Sequence, residues 1–557
     1  MKAYEAIAQA LVAEGADKMF GLMGDGNMWL WNVLLRDHGV RVYSARNEAA
    51  SVSMADGYSR TTGKVGMAMV TCGPGLTQCG TSIVVANRNR SQLVIIAGDA
   101  PKTNRFHTQA LDQRRWAEAN ECLFYTITSH DNMAEEIAEA FYATRTQCRP
   151  VLLNLPMDIQ ENGNIDWDFE YRPSTAFIAP RNVEPNPEGL AQLADALAAA
   201  EHPVIIAGRG ARLAGAKDEI LKLGERTGAL LATSLVGKGL FAGDEWDVGI
   251  SGVFAAAVTE ELLGEADLIL GIGAEVGYHT SEGGLMFPSA QIARIDIKPA
   301  PEAIGVVPGL HIQGDAKKAV AALNALLDQR GVKKAGFRTA HTKELLAAPP
   351  KAQDKPNDGM DPRLLARELG KAIPKGALLT CGAGHFFSWP AMYAAIPDDV
   401  EIQFSYQFGA VGQGLCIAVG TSAGNPGRPH IVIEGDGSMM FNLQELDTVC
   451  REGQQMVLLV WNDAGYGAEV HKLKAKGFEV GTAQWPHTNF VGLAKAFGGD
   501  GELLAREEDL PAAVARGLAK GGLYLIDARV SPSTPTDGYA KIYFGTPNSA
   551  PLLRPIA

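Results

Sequence analysis

Short runs of apolar, β-branched residues alternate with segments of helical periodicity along almost the whole chain. The runs are apolar on both faces, and most of them end in Gly, Asp or Pro. This pattern is typical of parallel sheets covered by helices, in which loops leave the carboxyl ends of the strands. The predicted strands lie at 65–72, 92–98, 150–156, 203–208, 266–273, 293–297, 430–435 and 456–461.

Two stretches break this alternation and predict linkers between domains. Residues 169–189 are rich in Pro and aromatic residues, and residues 341–362 are charged and rich in Pro. We therefore predict an α/β protein built from three doubly wound parallel-sheet domains. These domains are expected to span residues 1–175, 185–335 and 360–557.

Length, charge and cysteine usage narrow the class of protein. A chain of 557 residues is too long for one core, and its formal net charge of −13 argues against broad nucleic-acid binding. The seven cysteines are scattered without a CxxC pair, which suits a reducing compartment. We find no signal peptide and no apolar run long enough to span a membrane. The expectation is a cytoplasmic protein with neither membrane nor nucleic acid as a partner.

Two acidic residues follow neighbouring apolar runs in the stretch 431–467. Asp436 comes directly after one predicted strand, and Asp463 follows the next strand, 27 positions later. A right-handed crossover brings the ends of two such parallel strands to the same edge of the sheet. The two carboxylates are therefore expected to meet there.

Two carboxylates in a tight loop repel each other unless a cation neutralises them. Mg²⁺ prefers oxygen ligands and is usually shared with the phosphates of a substrate or cofactor. The alternative is a pair of ordinary loop acids that cap helices, and the spacing alone does not decide between the two. Small residues leave room for a diphosphate beside the pair: Gly435, Gly437, Ala464, Gly465 and Gly467.

The sequence GDGS, followed about 27 positions later by NDAGY, resembles the metal–diphosphate motif of thiamine diphosphate enzymes. The resemblance implies that Asp436, the side chain at 463 and the main-chain carbonyl of Gly465 hold Mg²⁺. Asp463 departs from the more common Asn at this position, and Asn462 beside it leaves the register uncertain by one. The motif also implies cofactor contacts from Gly435, Gly437, Ser438 and Tyr466.

Residues 42–60, VYSARNEAASVSMADGYSR, resemble a second block of the same family. In these enzymes a glutamate from another chain binds the aminopyrimidine ring of the cofactor, and the resemblance assigns this role to Glu48. Local sequence alone would make Glu48 a first-turn carboxylate favoured by the helix dipole. The metal motif, together with MADGYSR at the family's spacing, favours the catalytic role.

Further blocks agree in order along residues 1–545. FGLMGDGN (20–27) resembles the family's FGxPG turn, with Met23 where Pro is usual, and TCGPGLTQ (71–78) resembles the loop near the cofactor. The layout resembles the branch of acetolactate synthase, benzoylformate decarboxylase, pyruvate decarboxylase and benzaldehyde lyase. It implies pyrimidine-binding, central and diphosphate-binding domains, a homodimer as the minimal active unit, and a homotetramer. The other implied cofactor-binding residues are Gly73, Pro74, His385 and Val411.

The reaction implied by this branch starts when a C2 carbanion of the cofactor attacks a 2-oxo acid. Loss of CO₂ then leaves an enamine, which is either protonated to release an aldehyde or added to a second carbonyl. Asp25 and Glu469 match acids of the decarboxylases, whereas Gln113 lies in an LDQ resembling the lyase loop, near His107. Three of these four residues have a structural alternative: turn stabilisation for Asp25, a lysine ion pair for Glu469 and loop hydrogen bonding for His107.

We therefore predict a 2-oxo acid decarboxylase or aldehyde carboligase/lyase that requires thiamine diphosphate and Mg²⁺. The nearest alternative is acetolactate synthase-type ligation of two 2-oxo acids, and a non-catalytic relative that only binds the cofactor is the alternative of another class. GRGARLAGA (208–216) loosely suggests a dinucleotide loop, but it departs from GxGxxG, so an NAD-dependent dehydrogenase is disfavoured. FAD in the central domain is possible but disfavoured.

Overall fold

The computed structural model describes residues 1–104, 106–161, 170–179, 183–299, 308–349 and 353–544. Arg105, two residues before His107, and parts of both predicted linkers lie outside these ranges. The described chain forms three six-stranded parallel sheets flanked by helices. The α/β prediction is therefore confirmed, and each of the eight predicted apolar runs forms a strand.

The first domain contains the strands β1–β6 and the helices α1–α8. Its strands are β1 (Lys18–Gly21), β2 (Arg41–Ser44), β3 (Gly66–Val70), β4 (Leu93–Asp99), β5 (Leu123–Thr126) and β6 (Pro150–Pro156). Its helices are α1 (Ala3–Ala13), α2 (Met28–Arg36), α3 (Glu48–Thr62), α4 (Pro74–Thr77), α5 (Gly80–Asn89), α6 (Gln113–Ala119), α7 (Met133–Gln147) and α8 (Met157–Glu161).

The central domain contains the strands β7–β12 and the helices α9–α15. Its strands are β7 (Pro203–Ala207), β8 (Leu230–Thr233), β9 (Asp247–Ile250), β10 (Leu268–Ile272), β11 (Gln291–Asp296) and β12 (Leu310–Gln313). Its helices are α9 (Pro187–Ala199), α10 (Arg209–Leu213), α11 (Lys217–Thr227), α12 (Ala257–Gly264), α13 (Tyr278–Ser281), α14 (Ala316–Gln329) and α15 (Ala340–Ala347).

The third domain contains the strands β13–β18 and the helices α16–α24. Its strands are β13 (Leu378–Cys381), β14 (Glu401–Phe404), β15 (His430–Gly435), β16 (Met456–Asn462), β17 (Asp500–Leu503) and β18 (Leu523–Arg529). Its helices are α16 (Pro362–Ala372), α17 (Ser388–Tyr393), α18 (Gly414–Gly424), α19 (Asp436–Met439), α20 (Glu445–Arg451), α21 (Gly467–Ala475), α22 (Phe490–Ala496), α23 (Leu510–Lys520) and α24 (Asp537–Phe544).

The first and third sheets have the same topology. Their strand orders are β2-β1-β3-β4-β6-β5 and β14-β13-β15-β16-β18-β17. In each sheet the strand order reverses between two adjacent central strands, β1 and β3 in the first sheet and β13 and β15 in the third. Ligands of doubly wound sheets bind at the carboxyl ends of the strands at such a reversal. The first and third sheets therefore offer one candidate site each.

The first and third domains share a hydrophobic core in which α3 crosses α18. The crossing is close because glycines lie at the contact: a Cβ on Gly57 would come within 1.9 Å of the Ile417 carbonyl oxygen, and one on Gly420 within 1.7 Å of the Met54 carbonyl oxygen. Larger residues would separate the helices. The two candidate sites are thus held in one packed unit.

Two local expectations differ from the structure. The sequence analysis places Asp436 in a tight loop, but Asp436 begins helix α19, since extended Gly435 precedes it and the helix dipole favours a carboxylate in the first turn. We expected a linker from 341, but α15 forms there, and its Leu345 and Leu346 pack against the central domain's core. No helix in the described ranges has both the length and the apolar character needed to cross a bilayer.

Candidate active site

Asp436 and Asp463 lie side by side at the carboxyl edge of the third sheet. They follow the paired strands β15 and β16, in which Gly435 lies opposite Trp461. Asp436 is buried, Asp463 is half-buried, and their carboxyl groups are within hydrogen-bonding reach of each other. Burial raises the pKa of Asp436 to about 6, and burial and the neighbouring charge raise the pKa of Asp463 well above its usual range. The pair therefore favours a shared proton or a cation.

Asn462, the neighbour that left the register uncertain, points elsewhere. Its side-chain amide donates to Asp527 over 2.9 Å, and its oxygen lies 2.9 Å from Nδ1 of His487. Asn462 is fully buried and these bonds fix its side chain on the side of β18. Asp463 is accordingly the residue that faces Asp436.

The residues around the acidic pair fit a divalent ion with a diphosphate. A cavity of about 210 Å³ lies over the pair. A Cβ on Gly437 would come within 2.8 Å of the Tyr466 ring, and one on Gly467 within 2.4 Å of an Asp463 carboxylate oxygen, so side chains there would fill this space. In the described ranges no group of three His, Cys, Asp or Glu side chains can hold a metal alone. Backbone and ligand oxygens must complete the coordination.

A loop that the sequence analysis missed holds the acidic pair in place. Its residue Trp485 donates from the indole nitrogen to Oδ2 of Asp436 over 3.1 Å. The backbone of the same loop pairs with the loop after β16, since Tyr466 N donates to Ala483 O and Trp485 N donates to Ala464 O. Neither bond uses the carbonyl of Gly465, which is left available as a ligand. Trp485 follows no local pattern that would have revealed it.

A buried carboxylate behind the pair organises the neighbouring loop. Glu434 accepts hydrogen bonds from the backbone of Leu415 at the start of α18 and from the Ser438 hydroxyl. That hydroxyl accepts in turn from Gly412 N over 3.0 Å. Burial raises the pKa of Glu434 to about 7. This chain of bonds fixes the loop that presents Val411 to the cavity.

His385 lies in the cavity wall with a defined proton position. The backbone N–H of Thr536 donates to its Nε2 over 3.1 Å, and burial lowers its pKa to about 3. A neutral ring whose Nε2 accepts must carry its proton on Nδ1. Nδ1 lies on the side of Gly467, where an added Cβ would come within 3.2 Å of it. His385 is therefore a neutral hydrogen-bond donor toward the cavity.

Three further residues line the cavity together with His385: Glu469, Tyr539 and Tyr543. Glu469 is exposed and lines the cavity, and no ion pair of Glu469 is found among the described residues. Lys472, one of its predicted partners, lies 3.5 Å from the ring centre of Tyr543. The hydroxyl of Tyr539 donates to Gly384 O over 2.8 Å. Sequence reasoning missed both tyrosines, because they come from α24, more than 70 positions after Asp463.

The first domain forms a second, smaller set of candidate residues at its own reversal point. Glu48 opens α3, and its carboxyl oxygen lies near Gly75, where a Cβ would come within 3.2 Å. The loop carrying Gly73 and Pro74 begins α4 at the end of β3, and Gly73 has a positive φ of 59°. Gly26 N donates to the hydroxyl of Thr71 beside this loop. The structure thus brings Glu48 and the predicted cofactor loop together.

The other predicted residues of this domain differ in environment. Gln113 is buried; its Nε2 donates to Gly98 O over 2.8 Å, and its Oε1 has no hydrogen-bond partner among the described residues. His107 accepts from Gln109 N, as expected of a loop hydrogen-bonder. Asp25 is exposed, and Asn27 rather than Asp25 stabilises its turn by accepting from Gly24 N. Their roles in a reaction stay predictions.

The two sets do not meet within one chain. All described residues that line the cavity over Asp436 and Asp463 lie between positions 383 and 543. None of the first-domain candidates is among them, including Glu48 and Gln113. One chain therefore contributes two half-sites: the acidic pair with its cavity, and the Glu48 region.

A separate groove of about 200 Å³ lies at the carboxyl ends of β7, β10 and β11. Gly208 and Gly210 of the predicted dinucleotide loop pack against Gly273, where a Cβ would collide with the backbone. Asp296 accepts from Arg294 beside the groove. FAD or another nucleotide in this groove stays an alternative that the sequence disfavours.

Comparison with known proteins agrees with this architecture. The family descriptions "Thiamine pyrophosphate enzyme, N-terminal TPP binding domain", "central domain" and "C-terminal TPP binding domain" match residues 1–116, 190–323 and 382–528. The C-terminal match contains the acidic pair, and the N-terminal match contains Glu48.

Proteins named acetolactate synthase match nearly the full length. The "Probable acetolactate synthase large subunit" of Methanocaldococcus jannaschii is 27% identical over 96% of this chain and 92% of its own. The "Acetolactate synthase large subunit" of Haemophilus influenzae is 25% identical over 95% of this chain and 94% of its own. "Acetolactate synthase 2, chloroplastic" of Nicotiana tabacum is 27% identical over 97% of this chain and 84% of its own. With all three domains matched in order, the chain belongs to the thiamine pyrophosphate enzyme family.

Proposed function

We propose that this enzyme decarboxylates a 2-oxo acid and joins the remaining fragment to a second 2-oxo acid, using thiamine diphosphate and Mg²⁺. The observation that carries the proposal is the end-to-end similarity to proteins named acetolactate synthase. It favours the alternative that ranked second on sequence over simple decarboxylation or aldehyde carboligation. The facing pair Asp436 and Asp463 supports the cofactor requirement.

The chain's residues divide the work as follows. When bound, thiamine diphosphate supplies a carbon nucleophile for the 2-oxo carbonyl and accepts the electron pair that CO₂ leaves behind. Asp436, Asp463 and the Gly465 carbonyl would hold the Mg²⁺ ion, which would neutralise the diphosphate charge. Val411, which lines the cavity, would support the bound cofactor, and His385 would donate its Nδ1 proton in a hydrogen bond within the cavity.

We further propose that two chains assemble each site. One chain's cavity lacks Glu48, and exposed apolar side chains lie on residues near it, as expected of a surface that another copy covers. These side chains are Tyr406, Phe408, Met440, Phe441 and Tyr466. The minimal unit is then a homodimer, and the homotetramer and cytoplasmic location remain proposals; the word "chloroplastic" belongs to the plant relatives' names.

Mixing two inactive variants tests the shared site. Glu48→Gln and Asp436→Asn chains are each expected to lack turnover. In a mixed dimer, one site combines the intact Asp436 of one chain with the intact Glu48 of the other, so activity returns after subunit exchange. If both residues serve the same chain's site, mixing restores nothing, and the shared-site proposal fails.

Simple decarboxylation is the second candidate, because Glu469 is exposed to the cavity near two tyrosines. A carboxyl group there is placed to protonate a bound fragment and release an aldehyde. Product analysis separates the two reactions: ligation gives a branched hydroxy-oxo acid and decarboxylation gives an aldehyde. Glu469→Gln should lower aldehyde release if that reaction is native.

A panel of aliphatic and aromatic 2-oxo acids, each with thiamine diphosphate and Mg²⁺, tests the function itself. CO₂ release with a coupled hydroxy-oxo acid is the expected result. No CO₂ from any member and no ligation of aldehydes would leave only the non-catalytic cofactor binder. An absorbance spectrum of the purified protein shows whether FAD is bound.

A further inference from the structure

Helix α20 of the third domain reaches the segment of the first domain that carries Glu48. The helix begins six residues after α19, which holds Asp436, and it ends five residues before β16. The hydrogen bonds across the domain boundary from this helix and from Glu452, which follows it, fall on residues 41–47, which precede α3. Helix α20 therefore connects the part of the third domain between Asp436 and Asp463 with the segment that leads into Glu48.

Glu445 is the centre of this contact. Its side chain is fully buried, and its two oxygens lie 3.0 and 3.2 Å from the backbone nitrogen of Arg46. The backbone N–H of Asn47 also donates to this carboxyl group, and the Thr448 hydroxyl donates over 2.7 Å. A buried carboxylate without such donors would be costly, so these bonds hold the backbone and the carboxylate together.

Neighbouring residues strengthen the same attachment from the outside. Asp447 accepts from Nε of Arg46 over 2.6 Å, and Arg451 donates to the Ser44 carbonyl oxygen. Glu452, just after α20, accepts from Arg41 through its backbone oxygen over 2.9 Å. The surface ion pair contributes little by itself, since solvent screens it. The buried bonds of Glu445 are the specific part of the attachment.

The anchored residues are those that define the start of α3. Asn47 is the N-cap of the helix, and its side chain accepts from Ala49 N. Glu48 is the first helical residue, so the direction of its side chain follows from the backbone of Arg46 and Asn47. A change of the backbone there would rotate the Glu48 carboxyl group. Displacements near 1 Å at a catalytic group are enough to slow a reaction strongly.

We propose that Glu445 is a positioning residue that sets the orientation of Glu48 from the neighbouring domain. The inference rests on the proposed function, in which Glu48 binds the cofactor's aminopyrimidine ring. Glu445 itself touches neither cofactor nor substrate. It acts by holding two backbone N–H groups that immediately precede the catalytic residue.

Hydrogen–deuterium exchange at the thiazolium C2 of bound thiamine diphosphate tests the proposal, because exchange reports on Glu48 without any substrate. Glu445→Ala is expected to slow this exchange at least tenfold, while the dissociation constant of thiamine diphosphate with Mg²⁺ changes less than threefold. Glu445→Gln keeps one acceptor oxygen and should give an intermediate rate. A merely structural role would change stability and cofactor affinity but not the exchange rate of the bound cofactor.

Glu14→Gln is the matched control, because Glu14 is also buried and accepts from a backbone nitrogen, that of Ser174, over 2.6 Å. This variant should exchange at the wild-type rate. Wild-type exchange in Glu445→Ala, with Glu48→Gln inactive, overturns the positioning role alone. Wild-type exchange in Glu48→Gln overturns the proposed role of Glu48 instead.

A further measurement covers the case in which Glu445→Ala does not fold. Backbone amide exchange of residues 44–52 is then compared between wild type and Glu445→Gln by mass spectrometry. Faster exchange in the variant, confined to this segment, supports the anchor. Equal protection overturns it, because the single acceptor oxygen of Gln cannot replace both carboxylate oxygens for the N–H groups of Arg46 and Asn47.

Discussion

The indole nitrogen of Trp485 donates a 3.1 Å hydrogen bond to Oδ2 of Asp436, which lies 49 positions earlier in the chain. The ring of Trp485 also packs edge-on against Tyr466, with 4.8 Å between the ring centres. The carboxylate of Asp436 is therefore oriented before any metal binds. Groups that orient metal ligands in this way commonly affect affinity as strongly as a weak ligand does.

Trp485→Phe removes the donor and retains most of the ring packing. We expect the affinity for Mg²⁺ in the presence of thiamine diphosphate to fall about tenfold, because Asp436 must then be ordered on binding. Isothermal titration calorimetry measures the effect. Trp246→Phe in the central domain is the control, and equal affinities in both variants would contradict the role given to Trp485.

Asp463→Asn removes one of two facing carboxyl groups. Without metal the variant should melt at a higher temperature than wild type, because the repulsion between the acids disappears. With metal the order should reverse, since a neutral ligand binds the ion less tightly, by about tenfold. Thermal denaturation in chelator and in excess Mg²⁺ provides both comparisons. A variant that is less stable than wild type in chelator would contradict the electrostatic argument.

Gly57→Ala should disrupt the contact between α3 and α18. The added Cβ would lie 1.9 Å from the Ile417 carbonyl oxygen, so the helices must separate. Overpacking of this kind costs about 1–3 kcal/mol or more, and here both partners are backbone. Gly264→Ala is the helical control, because nothing lies within 4 Å of its Cβ position. Thermal denaturation of the two variants should differ clearly.

His430 should make the third domain sensitive to acid. It is buried in β15, and its ring nitrogens lie 2.9 Å from the Thr380 hydroxyl and 2.7 Å from the Ser422 hydroxyl. Burial lowers its pKa from 6.5 to about 3. On acidification, His430 of the unfolded chain therefore binds a proton near pH 6.5, whereas His430 of the folded chain binds one only near pH 3. The free energy of unfolding is therefore unaffected by the titration of this group above pH 6.5. Below pH 6.5 it falls by about 1.4 kcal/mol per pH unit until pH 3.

Urea unfolding of wild type and His430→Gln at pH 7, 5.5 and 4.5 checks this expectation. The variant should be less stable at pH 7 but should lose less stability on acidification. The same experiment on His341→Gln, which alters an exposed histidine, should leave the wild-type slope unchanged. Parallel slopes for wild type and His430→Gln would remove His430 as a source of acid sensitivity.

The sequence determined the fold class and the meeting of the two acids. Strands that are buried on both faces are apolar along nearly their whole length. The runs 430–435 and 456–461 show this pattern in the sequence. Handedness then brings the ends of β15 and β16 together, so the proximity of Asp436 and Asp463 follows from topology. Register needed the structure, because Asn462 and Asp463 differ only in which side of the sheet they face.

Only the tertiary structure decided which other residues surround these positions. Trp485, Tyr539 and Glu445 lack any local periodicity or motif that ties them to the acids or to Glu48; Glu445 meets the backbone of Arg46 across 399 positions of chain. Such contacts depend on how whole domains pack. Local patterns thus determined which strands form and where they end, whereas packing over long sequence separations decided which side chains meet there.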